Sequence, residues 1–345
     1  MSPYVNLSTW ISDEGPEQDV VLSSRVRLAR NIEGISYPNN ARKEELETVT
    51  KCVQEAAKNI NKDKLHYINM DNLPEIEKGL LVEKNMVSPE FAKKGSKNGI
   101  LLNNSEKISV MINEEDHLRI QVFMPGLQLN KALDMADELD DDLESSLDYA
   151  YSKKWGYLSA CPTNLGTGLR GSVMVHLPAL NFTDSIAKML EAVSKLGLVV
   201  RGIYGEGSKS IGNIYQISNQ ITMGSTEKDI INSLESVTQR IIEQERRARN
   251  NLMKNNEIKL KDKIKRSFGI LKYAHTISSN EAMRLLSNVK LGIDMGIIDI
   301  VNTRLMSKLI ILIRPCHLQK NVDNELSAEE RDIIRAELIQ SKLNV

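Results

Sequence analysis

The segment CPTNLGTGLRGSV, residues 161–173, places three glycines beside an arginine. Loops of this composition turn backbone amides towards phosphate groups. A P-loop would need the pattern GxxxxGK[ST], in which a lysine reaches the outer phosphates, and that pattern occurs nowhere in the chain. If a triphosphate binds here, its charge must be met by arginine.

The bulk composition of the 345 residues restricts the possible partners. Aromatic residues make up 4% and the net charge is −1, which argues against a stacking surface for nucleic acid and against attraction to DNA or a membrane. There is no apolar run long enough to span a bilayer and no signal segment. The three cysteines (Cys52, Cys161, Cys316) fit neither a disulfide framework nor a zinc site. We expect a cytoplasmic protein without protein-held metal.

The hydrophobic periodicity predicts a mixed α and β segment followed by a helical one. Predicted strands cover 20–28, 171–178, 198–204 and 213–218, and a hairpin covers 98–124. Predicted helices cover 41–60, 126–147 and 183–196, with a long helix from Ser225. The polar stretch 243–257 resembles a linker, and 258–345 reads as helical. We therefore expect two domains, 1–252 and 253–345.

Several predicted strands present arginines on the side opposite the core. Arg25 and Arg27 are two residues apart, so they project from one face. Arg119, Arg170 and Arg201 occupy similar positions on other strands. A single strand arginine is most often solvated surface, but several on one face repel each other unless an anion is present. Planar guanidinium groups suit phosphate oxygens.

Two acidic positions complement these arginines. Glu115 lies in the predicted hairpin turn NEEDHLR, and Glu206 lies in the glycine-rich loop RGIYGEGS. Turns favour acidic residues in any case. If the phosphoryl acceptor is a guanidinium, however, two carboxylates could orient its nitrogen and accept its proton.

Three blocks, SSRVRLARN (23–31), NEEDHLRI (113–120) and CPTNLGTGLRGSV, together resemble the ATP:guanido phosphotransferases, the family of creatine and arginine kinases. The resemblance covers roughly residues 18–250. It implies an α+β fold with an antiparallel sheet flanked by helices, here followed by an all-α C-terminal domain. It also implies ATP as phosphoryl donor, with Mg²⁺ held mainly by phosphates and water.

The resemblance also implies roles for individual residues. Glu115 and Glu206 would hold the acceptor guanidinium, and Cys161 would be the reactive cysteine beside it; a buried inert cysteine is the alternative. Met174 and Asn85 stand where relatives carry histidine, which leaves the adenine contacts open. The implied nucleotide-binding positions are Ser23, Ser24, Arg25, Val26, Arg27, Asn85, Arg119, Arg170, Gly171, Ser172, Val173, Met174, Arg201, Gly202, Ile203, Tyr204 and Gly205.

The domain order differs from that of the metabolite kinases. Those enzymes have a helical domain ahead of the SSRVR block, whereas here about twenty residues precede it and a helical domain follows at the C-terminus. This order resembles the bacterial protein-arginine kinases, which implies protein substrates with exposed arginines, marking for Clp protease degradation and a role in the stress response. Two alternatives remain: a phosphagen kinase acting on a free guanidino compound, and a non-catalytic phosphoarginine reader.

The C-terminal segment LSAEERDIIRAELI begins with a capping box, Ser327 and Glu330. Arg331, Asp332 and Arg335 follow, and a solvated charged face would explain them. The string RDIIRA nevertheless matches the RDxxRA motif of the protein-arginine kinases, which implies a second, allosteric pocket for phosphoarginine. The apolar residues of 283–313 predict a homodimer interface. Implied partners are a zinc-binding activator protein, a Clp ATPase and a heat-shock repressor.

Overall fold

The computed structural model describes residues 7–60, 64–95, 97–202, 210–299, 304–320, 322 and 325–343. The strands are β1 Val21–Arg30, β2 Leu65–Asn69, β3 Gly99–Asn103, β4 Ile108–Ile112, β5 Leu118–Pro125, β6 Tyr151–Ser152, β7 Gly156–Tyr157, β8 Leu169–His176, β9 Leu198–Gly202 and β10 Ile214–Asn219. The helices are α1 Thr9–Ser12, α2 Lys43–Lys58, α3 Glu75–Glu83, α4 Pro89–Lys93, α5 Leu129–Glu144, α6 Pro178–Phe182, α7 Ile186–Lys195, α8 Glu227–Asn255, α9 Glu257–Tyr273, α10 Ser279–Asp294, α11 Leu305–Leu312, α12 Pro315–Lys320 and α13 Ala328–Leu343.

Eight strands form one antiparallel sheet in the order β2-β3-β4-β5-β1-β8-β10-β9. The predicted hairpin is confirmed as β4 and β5, joined by the turn that carries Glu115. The predicted strands 20–28, 171–178, 198–204 and 213–218 correspond to β1, β8, β9 and β10. This sheet with flanking helices confirms the expected fold class.

One face of the sheet is covered by α5 and α8. Alternate residues of β1 and β5, among them Val26, Leu28 and Ile120, are fully buried against these helices. Helix α5 buries Leu129, Ala132, Leu133, Ala136, Leu139 and Leu143, the spacing of a helix with one apolar side. The apolar residues that alternate along the strands therefore pack against the apolar sides of the helices in a single core. The opposite face of the sheet remains for the arginines.

The polar stretch 243–257 is helical rather than a linker, because α8 continues to Asn255. Its polarity serves buried hydrogen bonds: Glu245 is fully buried and accepts from the backbone N–H groups of Ala179 and Leu180, each at 3.0 Å. Arg249 Nε donates to the same carboxylate at 2.9 Å. The division between residues 252 and 253 stays a prediction, and helix α8 runs across it.

The C-terminal part, α9 to α13, is helical as predicted and packs on the part of the chain that carries the sheet. The carboxylate of Glu83, in α3, accepts from the backbone N–H groups of Cys316 and His317 at 2.8 and 3.0 Å. Most of the described apolar residues of 283–313 are buried inside the chain; for example, Leu286, Leu309 and Ile313 are fully buried. They therefore do not form a free surface, and our reason for placing a dimer interface there was wrong.

Among the described residues, no helix combines the length and apolar character needed to cross a membrane. The cysteines Cys52, Cys161 and Cys316 are all free thiols.

Candidate active site

A cleft of about 850 Å³ opens on the sheet face opposite α5 and α8. Its floor carries the predicted arginines of four strands: Arg25 and Arg27 on β1, Arg119 on β5, Arg170 on β8 and Arg201 on β9. The strand register explains why they converge, since directly paired residues of neighbouring strands share a face. Arg27 is paired with Arg170 on one side and with Gln121, two residues from Arg119, on the other.

These arginines are crowded without a counter-charge large enough for all of them. Burial, together with the charges of Arg119 and Arg170, lowers the pKa of Arg25 to about 10. Burial and the same neighbours, with Arg25, lower the pKa of Arg27 well below its usual range. The Nε atoms of Arg27 and Arg170 are buried and bond to nothing within the described part of the chain. Such a site is electrostatically prepared for a polyanion, and a triphosphate fits it.

The turn between β4 and β5 carries two glutamates whose carboxylates differ in burial and in hydrogen bonding. Glu114 is buried, pairs with Arg119 and accepts from Ser88 Oγ at 2.7 Å. The side chain of Glu115 is 41% exposed, and its Oε2 lies 3.6 Å from Arg119 Nη2. Glu115 is therefore the acid of this turn that can receive a guanidinium from the cleft.

Asp116 fixes this turn to the loop that carries Cys161. It is buried and accepts from Asn31 Nδ2 at 2.7 Å, from Ser159 Oγ at 2.8 Å and from the Ala160 N–H at 2.8 Å. The Cys161 N–H in turn donates to Ser159 Oγ at 3.2 Å. The partly exposed Cys161 is thereby held near Glu115, although it is not among the residues that line the cleft.

Some of the predicted nucleotide positions cannot reach the cleft with their side chains. Val26 and Val173 point into the helix layer and are buried there. A Cβ at Gly171 would lie 2.7 Å from the side chain of Ile231, so this glycine permits close packing of α8 on β8. Ser24 is buried on the same side and donates to Gly126 O at 2.8 Å. We correct the prediction accordingly: these four residues support the site from behind.

Ser23 and Ser172 lie on the cleft side but are buried beneath the arginines. Ser172 Oγ accepts from Arg25 Nε at 3.3 Å and so orients that guanidinium. Asn85 and Met174 line the cleft together with Gly202. Asn85 has a left-handed backbone (φ 60°), and its Nδ2 is buried without a bonding partner in the described structure. Ile203, Tyr204, Gly205 and the predicted catalytic Glu206 lie outside the described residues.

The cleft also contains residues that the sequence did not indicate. Gln216 of β10 is paired with both Met174 and Arg201, so it belongs to the arginine face. The strand alternation was sufficient to find it. Lys93 and Lys94, at the end of α4, line the opposite wall. Nothing in the sequence pattern predicts that this short helix packs beside the sheet, so these lysines were missed.

The residues of the predicted second pocket lie in α13. The capping box at its start is present, with Ser327 N–H donating to Glu330 at 2.7 Å. Arg335 is 2% exposed; it donates to the carbonyls of Ile313 and Ile277 at 2.9 and 2.8 Å and pairs with Asp332. Arg331 is partly exposed and uses Nη1 for the Leu326 carbonyl at 2.8 Å. The two arginines therefore differ: Arg335 is built into the domain, whereas Arg331 keeps further donors for a ligand.

Comparison with known proteins agrees with this geometry. The profile of the ATP:guanido phosphotransferase C-terminal catalytic domain matches residues 47–248, more than half of the chain. The chain belongs to this family. It is accordingly an enzyme of the transferase class. The profile of the protein-arginine kinase McsB C-terminal domain matches residues 257–345.

Relatives within the family cover the whole chain. A protein-arginine kinase of Halothermothrix orenii is 63% identical over 340 residues, which is 99% of this chain and 97% of that protein. A protein-arginine kinase of Brevibacillus brevis is 46% identical over 98% of this chain and 96% of its own length. Among solved structures, a duplicated taurocyamine kinase of Schistosoma mansoni with bound transition-state analogue components superposes with a TM-score of 0.60 at 27% identity, covering 70% of this chain and 35% of that one.

Proposed function

We propose that this enzyme transfers the γ-phosphoryl group of ATP to arginine side chains of proteins. The observation that carries the proposal is the combination of a five-arginine cleft with the partly exposed carboxylate of Glu115, in a chain whose C-terminal part matches the protein-arginine kinase domain. The full-length relatives named protein-arginine kinase support the same substrate.

In the proposed reaction the arginines bind and orient the triphosphate. Arg25, Arg27, Arg119 and Arg170 neutralise its oxygens, which lowers the barrier to attack on the γ-phosphorus. Glu115 accepts hydrogen bonds from the target guanidinium, holds one nitrogen in line with the γ-phosphorus and takes the proton that this nitrogen loses. The attacking nitrogen forms the new N–P bond, and the bond from phosphorus to the bridging oxygen of ADP breaks.

The residues present suit a magnesium ion carried by the nucleotide. Within the described ranges, no group of three or more His, Cys, Asp or Glu residues could hold a metal ion. Mg²⁺ retains waters and is commonly bound through substrate phosphates. When bound, it would screen charge on the transferred phosphoryl group, while the arginines supply the fixed contacts.

We further propose, from the family resemblance, a homodimer in the cytoplasm that marks proteins for a Clp ATPase and its protease in the stress response. A zinc-binding activator protein and a heat-shock repressor would be its other partners. Three free thiols are consistent with a reducing compartment. Arg331 and Asp332 would bind the phosphate and the guanidinium of phosphoarginine, and Arg335 would hold Asp332 in place.

The deciding experiment compares two acceptors. The purified enzyme is incubated with Mg-ATP and either free L-arginine or unfolded casein, and acid-labile, base-stable phosphate is measured on each. Label on casein supports the proposal. Label on free L-arginine alone would instead establish a phosphagen kinase, the alternative reading of the same cleft.

A further inference from the structure

A second cavity, of about 790 Å³, opens at the end of the sheet where β1 finishes. Five carboxylates line it: Asp137, Asp140, Asp141 and Glu144 from α5, and Glu227 from the start of α8. Two cations, Arg30 and Lys154, lie among them. Counting these groups alone, the lining carries a net charge of −3, from five carboxylates and two cations. The transfer reaction uses none of these residues.

The acids of α5 oppose the stability of their own helix. They are three or four residues apart on one side, where like charges repel, and they lie in its C-terminal half, where the helix dipole disfavours negative charge. Arg30 Nη2 contacts Asp140 at 2.6 Å and Glu227 at 3.7 Å, which leaves the other three acids without an ion pair to it. Burial and the surrounding carboxylates raise the pKa of Asp137 to about 6 and that of Glu227 to about 7. An added cation would relieve this repulsion.

Aromatic side chains form the opposite wall. Tyr151 and Trp155, on the β6–β7 hairpin, are 57% and 45% exposed. The ring of Tyr157 already stacks on the guanidinium of Arg30, 3.5 Å from Cζ to the ring centroid. Lys154 Nζ lies 4.5 Å from the centroid of the Trp155 ring, so this wall already holds an ammonium group by cation–π contact beside the carboxylates, the two interactions that a basic side chain needs. The acids are not clustered tightly enough to hold a metal ion, as far as the described residues show.

The second cavity lies on the α5–α8 side of the sheet and shares no lining residue with the cleft, but two segments of the chain connect them around the end of the sheet. Arg30 lines the cavity, and the next residue, Asn31, holds Asp116 beside Glu115. The loop that bears Cys161 continues to Gly166 and Thr167, which line the cavity, and Arg30 Nη1 donates to Thr167 O at 2.9 Å. Gly166 follows Cys161 by five positions, so their Cα atoms are at most about 17 Å apart, the length of roughly five extended residues.

We propose that this cavity binds a second basic side chain of the polypeptide substrate, a lysine or an arginine, while the target arginine occupies the cleft. The inference rests on the proposed function, because only a polypeptide acceptor has a second side chain. The enzyme would then favour arginines that have a basic neighbour roughly three to six residues away, given the extended reach of the chain.

The test uses unstructured peptides with a single arginine. Each carries one lysine at a separation of about two, four, six or eight residues, or glutamine in the same place, so that charge is the only variable. Lysine is chosen because it lacks the guanidinium that accepts phosphate. We expect lysine at the best separation to lower KM about tenfold relative to glutamine, through ion pairs and cation–π contact, with kcat unchanged.

Variants locate the effect. The double variant D141N/E144Q removes two exposed acids of the cavity and should abolish the preference for lysine, leaving KM for the glutamine peptides unchanged. W155A, on the other wall, should reduce the preference independently. The matched control D134N/D142N makes the same charge change on exposed positions of α5 that do not line the cavity, and it should retain the preference.

The outcomes separate the two claims. Equal KM for lysine and glutamine peptides at every separation, or a preference that survives both D141N/E144Q and W155A, overturns the second site and leaves the kinase function intact. If free L-arginine is phosphorylated and no peptide is, the proposed function fails and the second site fails with it.

Discussion

Arg27 and Arg170 are directly paired across β1 and β8, so two guanidinium groups emerge side by side from the floor of the cleft. Their Nε atoms are buried and have no bonding partner in the described structure. Burial and the neighbouring arginines lower the pKa of both residues. The arginines of the cleft thus repel one another, a bound triphosphate would relieve this repulsion, and stability is thereby linked to ligand binding.

The first prediction concerns R27M. Removing one buried, repelled charge should raise the Tm of the ligand-free protein by about 1–3 °C, while the increase in Tm produced by Mg-ATP should largely disappear. Thermal unfolding with and without nucleotide measures both. R246M is the control, because Arg246 is paired with Asp19 and Glu17, and its loss should lower Tm without affecting the nucleotide response. A ligand-free R27M that melts below wild type would contradict this repulsion among the arginines.

The second prediction concerns E115Q. Glutamine keeps the shape of the side chain but can neither favour deprotonation of a guanidinium nor pair with its charge, so kcat should fall by about 10²–10⁴-fold. The Kd for ATP should stay within about twofold, since the phosphates contact arginines. Phosphate transfer to casein and nucleotide titration provide the two measurements. E90Q makes the same change elsewhere in the cleft and should remain active; near-normal kcat in E115Q would remove Glu115 from the mechanism.

The sequence predicted the sheet strands of the site well because each combines two signals. In β1 and β5 the alternation of apolar residues with arginine defines the strand and also the face that each arginine occupies. The prediction of a linker at 243–257 was wrong because composition was its only signal. The polar residues of this stretch are needed for buried contacts, such as Glu245 with the backbone of α6, and composition does not reveal contacts between distant segments.

The site was predicted only as far as local patterns allow. The alternation along the strands predicted that the arginines converge on one face. The difference between Glu114 and Glu115 depends on contacts of Glu114 with Ser88, which is distant in sequence, and with Arg119, which lies in β5. The family motif singled out Glu115 where charge alone could not, and its catalytic role stays a prediction. The acidic cavity was missed altogether, because its walls come from α5, the β6–β7 hairpin and the start of α8.

The third prediction concerns pH and Glu227. Its pKa is raised from the ordinary value of 4.5 to about 7, first by burial and then by the acids of α5. Between these values the folded state keeps a proton that the unfolded state has lost, so this group reduces stability as pH rises from about 4.5 to 7. E227Q removes the effect. The stability of E227Q minus that of wild type should therefore increase from pH 5 to pH 7.5.

Urea unfolding at several pH values measures this difference. E330Q is the control of opposite sign, because hydrogen bonds from Ser327 lower the pKa of Glu330. The carboxylate of Glu330 stabilises the folded state above its unfolded pKa, so the free energy of unfolding of E330Q should fall relative to that of wild type as pH rises from 3 to 6. A pH-independent difference for E227Q would show that its carboxyl group titrates normally.

The fourth prediction separates Arg331 from Arg335. Arg335 is 2% exposed and bonds to two backbone carbonyls and to Asp332, so R335A should destabilise the protein by about 2–4 kcal/mol. Arg331 is partly exposed, and R331A should change the free energy of unfolding by less than about 0.5 kcal/mol. R331A should nevertheless weaken binding of free phosphoarginine at least tenfold, through loss of a charge-assisted contact.

Calorimetric titration of phosphoarginine, with E115Q as the background to prevent turnover, measures the binding, and urea unfolding measures the stability. R284A, a change of the same size and charge at an exposed position of α10, should affect neither. If R331A binds phosphoarginine as tightly as its parent, the RDxxRA segment is not the binding pocket. In that case the buried contacts of Arg335 would suffice to explain the motif as a packing element of the helical domain.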